Sequence, residues 1–289
     1  SVHGGSDVAF VIEQKQPGPP LQLDVPVVVQ TLGKPVTTTV RLEGGLAAAT
    51  VRTEDEPVAL HVDPSFDVFR LLDPRETPAS IGQICGEPRV LAVVPSKAAA
   101  AEQEAWRALV LGWKSESHEP EVRTDAELSE LPKDRAVWLL GRDNALAPRL
   151  FASGTDYTLD GQRLAVDRES MPLAGHSAVL VRRHPANLEK AIGWIFADGT
   201  AALPGLGRKL PHYGKYSYLG FEGDEPTNVL KGQWTATDSP LRVDLRPNDE
   251  RGAPVAALSL PARKALAELP PVFSQKALLD HVTWLSSPE

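Results

Sequence analysis

The densest concentration of reactive side chains in this sequence is Gly205-Leu-Gly-Arg-Lys-Leu-Pro-His-Tyr-Gly-Lys-Tyr-Ser-Tyr218. It sets Arg208, Lys209, His212, Tyr213, Lys215 and Tyr216 on one glycine-bearing loop. Guanidinium, imidazole and ammonium groups so close together suit an anion or a polarised carbonyl, with Arg208, His212 and Lys215 as the clamp and Tyr216 beside them. The same composition also suits a structural loop, in which the tyrosines pack and the cations pair with Asp224 and Glu225. A phosphate loop is a poor description. Gly207 and Gly214 enclose six residues instead of four, Lys215 is followed by Tyr216 instead of Ser or Thr, and no strand–glycine–helix order follows.

Other chemistries find less. A helical zinc-hydrolase motif needs a second His four residues after the first, whereas the His118-Glu119 pair runs straight into Pro120 and reads as a solvated loop. His176 and His184 lie eight apart across an expected strand, which places them on one face by parity, as ligands or as a partly buried hydrogen-bonded pair. Ala174-Gly-His-Ser177-Ala misses the glycine spacing of a nucleophile elbow. Cys85, between Ile84 and Gly86, reads as a small buried thiol. Asp156 and Asp160 flanking Tyr157 form the one remaining cluster of titratable groups to inspect. Trp234 sits on a turn-like segment and is expected to bury against a sheet edge. The site expectation is therefore no catalytic residue and no metal ligand, with Arg208, His212, Lys215 and Tyr216 as the candidate ligand-binding set.

The elements that must position these groups change character along the chain. Over residues 1–62, Val8, Phe10 and Ile12 alternate with polar or smaller neighbours, Leu21 to Val27 repeat the alternation, and Val36-Thr-Thr-Thr-Val40 is β-branched throughout. Gly33-Lys34 and Gly44-Gly45 mark turns, so a small β-sandwich of about five strands is expected. Residues 63–88 are broken by Pro64, Pro74, Pro78 and Pro88 yet too apolar for a free tether, so they read as a packed connector. Residues 89–248 read as an α/β domain with a mostly parallel sheet. Val90–Val94 and Ala136–Leu140 are unbroken apolar strands, and Trp106, Leu109, Val110 and Trp113 form one face of a helix capped by Ser96. A hairpin turns at Asp160-Gly161. Leu188, Ala191, Ile192, Ile195 and Phe196 suggest a further helix from Asn187, and Leu241–Leu245 a late strand of the same domain. Residues 249–289 read as a linker, a short helix over 261–266, and a last helix capped by Ser274 with Leu278, Val282 and Leu285 on one face. The fold class is thus α+β and multidomain, with a short helical tail.

Composition limits the function classes. The 289 residues carry 30 Lys and Arg against 38 Asp and Glu, a net charge of −8, which argues against a broad basic surface for nucleic acid. Hydrophobic residues make up 42%, enough to bury a core. No apolar run approaches the roughly 18 residues that span a bilayer, and no basic-then-apolar leader is seen. One cysteine excludes an internal disulfide and multi-cysteine metal clusters.

Three stretches carry a resemblance. Glu13-Gln-Lys-Gln-Pro-Gly-Pro-Pro20 with Leu21–Gln30, and Val62-Asp-Pro-Ser-Phe-Asp-Val-Phe-Arg-Leu-Leu72, resemble the β-sandwich that follows the catalytic domain in bacterial relatives of aminopeptidase N, the gluzincin metallopeptidases. Leu210–Tyr218 with Asn228-Val-Leu-Lys-Gly-Gln-Trp234 resembles an α/β domain found after that sandwich in some large members. Leu279-Asp-His-Val-Thr-Trp-Leu-Ser-Ser-Pro-Glu289 looks like the opening of the two-zinc peptidases related to aminopeptidase Y. The resemblance implies an accessory scaffold within a tandem zinc aminopeptidase, with flanking peptidase domains of the same polypeptide as partners. It also implies zinc in those domains and none in this chain, and a periplasmic or secreted setting. No catalytic residue transfers, because the matching segments carry none. Two readings stay open: a non-catalytic scaffold, and a module binding a small anion or peptide terminus through the 205–218 loop.

Overall fold

A computed structural model describes residues 5–152, 156–236, 238–251, 256–260, 262 and 274–287. Apart from Ala262, the expected helix over 261–266 lies outside the described residues. The chain divides into two compact units, one running to Val68 and resuming at Leu241, the other spanning Phe69–Pro240. The connector expected over 63–88 is thus shared, its first six residues with one unit and the rest with the other.

The first unit is the expected β-sandwich. Strands β1 (Ser6–Glu13) and β4 (Leu46–Thr53) pair antiparallel, and β2 (Leu23–Thr31), β3 (Val36–Leu42) and β5 (Pro57–Val62) form a second antiparallel sheet in the order β5-β2-β3. Period-two alternation turns Val8, Val25, Val27, Val29, Val40, Leu42, Val51 and Leu60 into one core between the sheets. The segment Arg242–Asp244, expected as a late strand of the α/β domain, instead extends β5 on its outer side. Its three residues have no apolar run of their own. Their place is set by the backbone groups that β5 leaves open, and Val62 N–H donates to Leu241 and Leu245 N–H to Val58. The helix Gln275–Ser286 forms as expected, with Ser274 accepting from Ala277 N–H, and buries none of its residues.

The second unit holds a seven-stranded sheet. Its strands are β6 (Arg89–Val94), β7 (Glu119–Thr124), β8 (Ala136–Leu140), β12 (His176–His184), β13 (Asn187–Ala197), β14 (Tyr218–Glu222) and β15 (Thr227–Gly232), ordered β15-β14-β12-β13-β8-β6-β7. The sheet is mixed. It is parallel from β13 across β8 and β6 to β7, and antiparallel from β13 back to β15. Helices α1 (Ile81–Cys85), α2 (Ala100–Leu111) and α4 (Leu203–Lys209) cover one face through Ile81, Ile84, Trp106, Leu109, Leu203 and Leu206. The other face is covered by α3 (Ala147–Leu150) and a small antiparallel sheet of β9 (Thr158–Leu159), β10 (Arg163–Val166) and β11 (Glu169–Pro172).

The segment from Asn187, expected as a helix, is β13. Ala191–Phe196 are all buried, as befits a central strand covered on both faces, where no polar–apolar alternation survives to distinguish it from a helix stripe. Gly193 in its middle disfavours a helix and lets the strand lie against Trp138, whose ring a Cβ would strike. The helix α2 begins later than expected, after Ala99. Ser96 does not cap it; its N–H is used elsewhere.

Candidate functional site

In an open α/β sheet, ligands bind outside the carboxyl ends of the strands where the chain order reverses. Here that point lies between β6 and β8, because β7 sits on one side of β6 and β8 on the other. The loop after β6 begins Pro95-Ser96 and the loop after β8 runs Gly141–Leu146. Asp125, at the end of β7, bridges them: its Oδ1 accepts from Ser96 N–H at 2.8 Å and its Oδ2 from Ala145 N–H at 2.7 Å. Burial pushes the Asp125 carboxyl up, but the hydrogen bonds from Ala145 and Ser96 outweigh it and hold the group below its ordinary range. Asn144, 1% exposed, donates through Nδ2 to Val93 and Leu140 carbonyls at 2.9 and 3.3 Å. Gly141 has a φ of +80° and presents its carbonyl to Trp194 Nε1 at 2.8 Å. At the crevice, Asp125, Asn144 and Trp194 thus bond through their side-chain polar atoms to the backbone of the strand ends and loops around it.

The 205–218 loop folds as α4 followed by a 3-10 turn, Leu210–Tyr213. Its backbone seats α1: Gly214 and Tyr216 carbonyls accept from Gly82 and Ile81 N–H at 2.7 and 2.9 Å. Tyr213 packs edge-on against Phe221 with centroids 5.6 Å apart, and against Tyr216 at 5.8 Å. Lys215 lies over the Tyr216 ring, its Nζ 5.2 Å from the centroid, and Lys231 approaches the same ring at 5.8 Å. Lys209 donates to the Pro226 carbonyl. Arg208 faces Glu225 at 3.7 Å, with both side chains largely exposed, so the pair is screened. His212 is exposed on the 3-10 turn. Of the four nominated residues, Arg208 lines a groove of about 460 Å³ between α2 and α4, together with Leu109, Trp113, Leu203, Pro204 and Gly207. His212, Lys215 and Tyr216 are not among its lining residues, so the structure does not bring the four to one pocket.

The remaining candidates have structural partners. His118 is buried with Nδ1 2.8 Å from the Glu87 carbonyl, which corrects its reading as a solvated loop and places its proton on Nδ1. The reason is that Glu119 enters β7 beside β6, drawing His118 against the Glu87–Pro88 turn. His176 and His184 occupy opposite ends of β12, roughly 26 Å apart at strand rise, too far to share an ion. Tyr157 donates to the Phe151 carbonyl at 2.8 Å, and Asp160 accepts from Gln162 and Arg163 N–H within its turn. Cys85 is pushed up to about 11 by burial, a protonated, inert thiol at neutral pH. Trp234 is half-buried: it donates to the Val181 carbonyl at 2.6 Å and stacks on Tyr157, packing against the sheet as expected but not fully covered by it. Among the described residues no three His, Cys, Asp or Glu side chains gather where they could hold a metal ion. No described helix is long and apolar enough to cross a membrane.

No family model matches this chain, and no curated protein is found to be similar to it.

Asp125 and Asn144 were the residues sequence reasoning passed over. Asp125 follows Thr124, which stands three residues before Glu127 at capping-box spacing, and that box forms, with Glu127 accepting from Thr124 N–H at 2.6 Å. The signal for Asp125 itself was an acidic residue directly after a strand, the place where an α/β sheet puts its polar side chains.

Proposed function

We propose that this chain is a non-catalytic accessory region of a zinc metallo-aminopeptidase, a scaffold that packs on neighbouring peptidase domains and shapes access to their clefts. The observation that carries this reading is the switch-point crevice. Asp125 and Trp194 there bond to the loop backbones after β6 and β8, and Asn144 donates to the Val93 and Leu140 carbonyls at the ends of those strands, which makes the position a rigid joint. The exposed apolar face of Gln275–Ser286, with Leu278 52%, Val282 60% and Leu285 74% exposed, is in keeping with a region covered by another body. The peptidase association rests on the resemblance of residues 13–30, 62–72, 210–218, 228–234 and 279–289. The direct experiment is incubation of the purified chain with aminoacyl-p-nitroanilides and naphthylamides in added zinc or cobalt. No turnover is expected; metal-dependent turnover that survives purification overturns the proposal.

The groove between α2 and α4 favours a second reading. Its volume falls in the range of small-molecule sites, its walls are apolar, and Arg208 stands at its rim. That reading takes an apolar carboxylate or a peptide C-terminus, held by Arg208 instead of by the four-residue clamp. Calorimetry with short peptides and aryl carboxylates decides it: binding lost in Arg208→Ala supports it, and absence of heat removes it.

A further inference from the structure

We propose that the strand Arg242–Asp244 is an acid-released strap, docked on β5 while the His61 ring opposite Arg242 is uncharged and let go when that ring takes up a proton. The strap pairs antiparallel with β5, with Arg242 opposite His61, Val243 opposite Leu60 and Asp244 opposite Ala59. Val62 N–H donates to the Leu241 carbonyl at 2.9 Å and Leu245 N–H to the Val58 carbonyl at 3.0 Å. The ladder bonds therefore fall at Val62, Leu60 and Val58, and the His61–Arg242 pair between them exchanges none. In such a pair the side chains stand closest, so imidazole and guanidinium face each other across the narrowest gap of the ladder.

The ring is held from its other side by Gln30 of β2. This amide is 7% exposed and donates through Nε2 to the Ala256 carbonyl at 2.9 Å, which turns its Oε1 to His61 Nε2 at 3.0 Å. Nε2 therefore carries the proton of the neutral ring, and a second proton must enter at Nδ1. Val28, directly opposite His61 on β2, and Pro26 and Gln30 on either side of it carry no charge. Asp63, two residues beyond His61, gives Oδ1 to Asp67 and Val68 N–H at 2.7 and 3.2 Å. Asp244, on the same face of the strap as Arg242, meets Arg246 at 2.7 Å. Arg242 has no ion pair among the described residues, so its guanidinium is the charge that faces the ring. Burial first and Arg242 second push the imidazole below its ordinary 6.5.

Release of the strap takes the guanidinium away and uncovers the ring, which then regains its ordinary affinity for a proton. Because the docked ring titrates lower than the released one, docking is level above pH 6.5 and weakens as pH falls below it, by up to about tenfold per unit until the docked ring itself titrates. The Asp244–Arg246 pair adds nothing in this window, since Arg246 holds the Asp244 carboxyl down to about 2. The strap has three residues and its Val243 is 49% exposed, so it buries little and can open without the rest of the sandwich.

Hydrogen exchange of the full chain at pH 7.5, 6.5 and 5.5, corrected for the intrinsic pH dependence of exchange and read at Val62 and Leu245 N–H, tests the proposal. Opening at these two amides should rise about tenfold from pH 7.5 to 5.5, while the amides that join β2 to β3 hold steady. His61→Gln keeps a donor for Gln30 and removes the titration, so the rise disappears. Arg242→Glu sets a carboxylate opposite the ring and cuts the rise to about threefold or less. It also moves one histidine titration, read by NMR, upward from a midpoint below 6.5, which keeps the test decisive should His61→Gln fail to fold. Exchange at Val62 and Leu245 that ignores pH, a full rise that persists in His61→Gln or Arg242→Glu, or a rise shared by the β2–β3 amides overturns it.

Discussion

Replacing Asp125 with Asn is nearly isosteric, yet it should destabilise the second unit substantially. Both carboxylate oxygens accept backbone N–H groups, from Ser96 at 2.8 Å and Ala145 at 2.7 Å, and the residue is 5% exposed. An amide keeps one acceptor and turns its NH₂ toward the other N–H, leaving two donors face to face. A hydrogen bond to a charged group contributes about 1.5–3 kcal/mol, and stranding a buried donor costs about 1–3 kcal/mol, so a loss of about 2–4 kcal/mol is expected for Asn and a similar loss for Ala. For a unit of this size that corresponds to a fall in Tm of about 5–15 °C. Urea and thermal unfolding followed by tryptophan fluorescence report it, since Trp106, Trp113, Trp138, Trp194 and Trp234 all lie in this unit. The pH dependence supplies an internal control. The carboxyl is held below its ordinary value of 3.8, so its contribution is complete above that value and is lost as pH falls through the lower folded value. The wild-type chain should therefore lose stability below about pH 4 more steeply than Asp125→Asn. An Asn variant within about 0.5 kcal/mol of wild type, with an unchanged acid limb, would refute the view that this carboxylate pins the two loops.

Two further outcomes follow from buried groups. His184 is 1% exposed and its Nδ1 accepts from Ala186 N–H at 3.1 Å; burial first and Lys133 second lower its pKa from 6.5, against the Pro132 carbonyl. The neutral ring is the folded form, so stability should be level above pH 6.5 and decline as pH falls below it, and His184→Asn should flatten that decline in pH-dependent urea unfolding. Gly193→Ala should cost about 2–4 kcal/mol in the same assay, because the new methyl meets the Trp138 ring and Ile84 across a central strand.

Much of the architecture was legible. The alternation of Val8, Phe10 and Ile12 and the β-branched run at Val36–Val40 predicted strands, because a strand with one dry face writes its period into the sequence. The apolar runs at Val90–Val94 and Ala136–Leu140 predicted buried strands by length, and Trp106, Leu109 and Val110 predicted the covered face of α2. β13 was misread for a physical reason: with both faces dry, its residues obey no two-fold pattern, and a helix stripe fits them by chance. The candidate site was legible only as composition. The cations of the 205–218 loop were visible, but their directions were not. The loop's backbone turns toward α1, so Arg208 reaches the α2–α4 groove while Lys215 lies over Tyr216.

The sequence by itself determined the local order: where strands begin and turn, which helix face is apolar, that charge is net negative, and that one thiol is available. These follow from near-neighbour sterics and periodicity, which act over a few residues. Only the tertiary structure decided that Arg242–Asp244 extends β5 and that Asp125 joins the loops after β6 and β8. Each of these depends on pairing between segments distant in the chain. Backbone donors and acceptors are the same at every residue, so the pairing is chosen by what the assembled cores leave open, and local spacing carries no record of that choice.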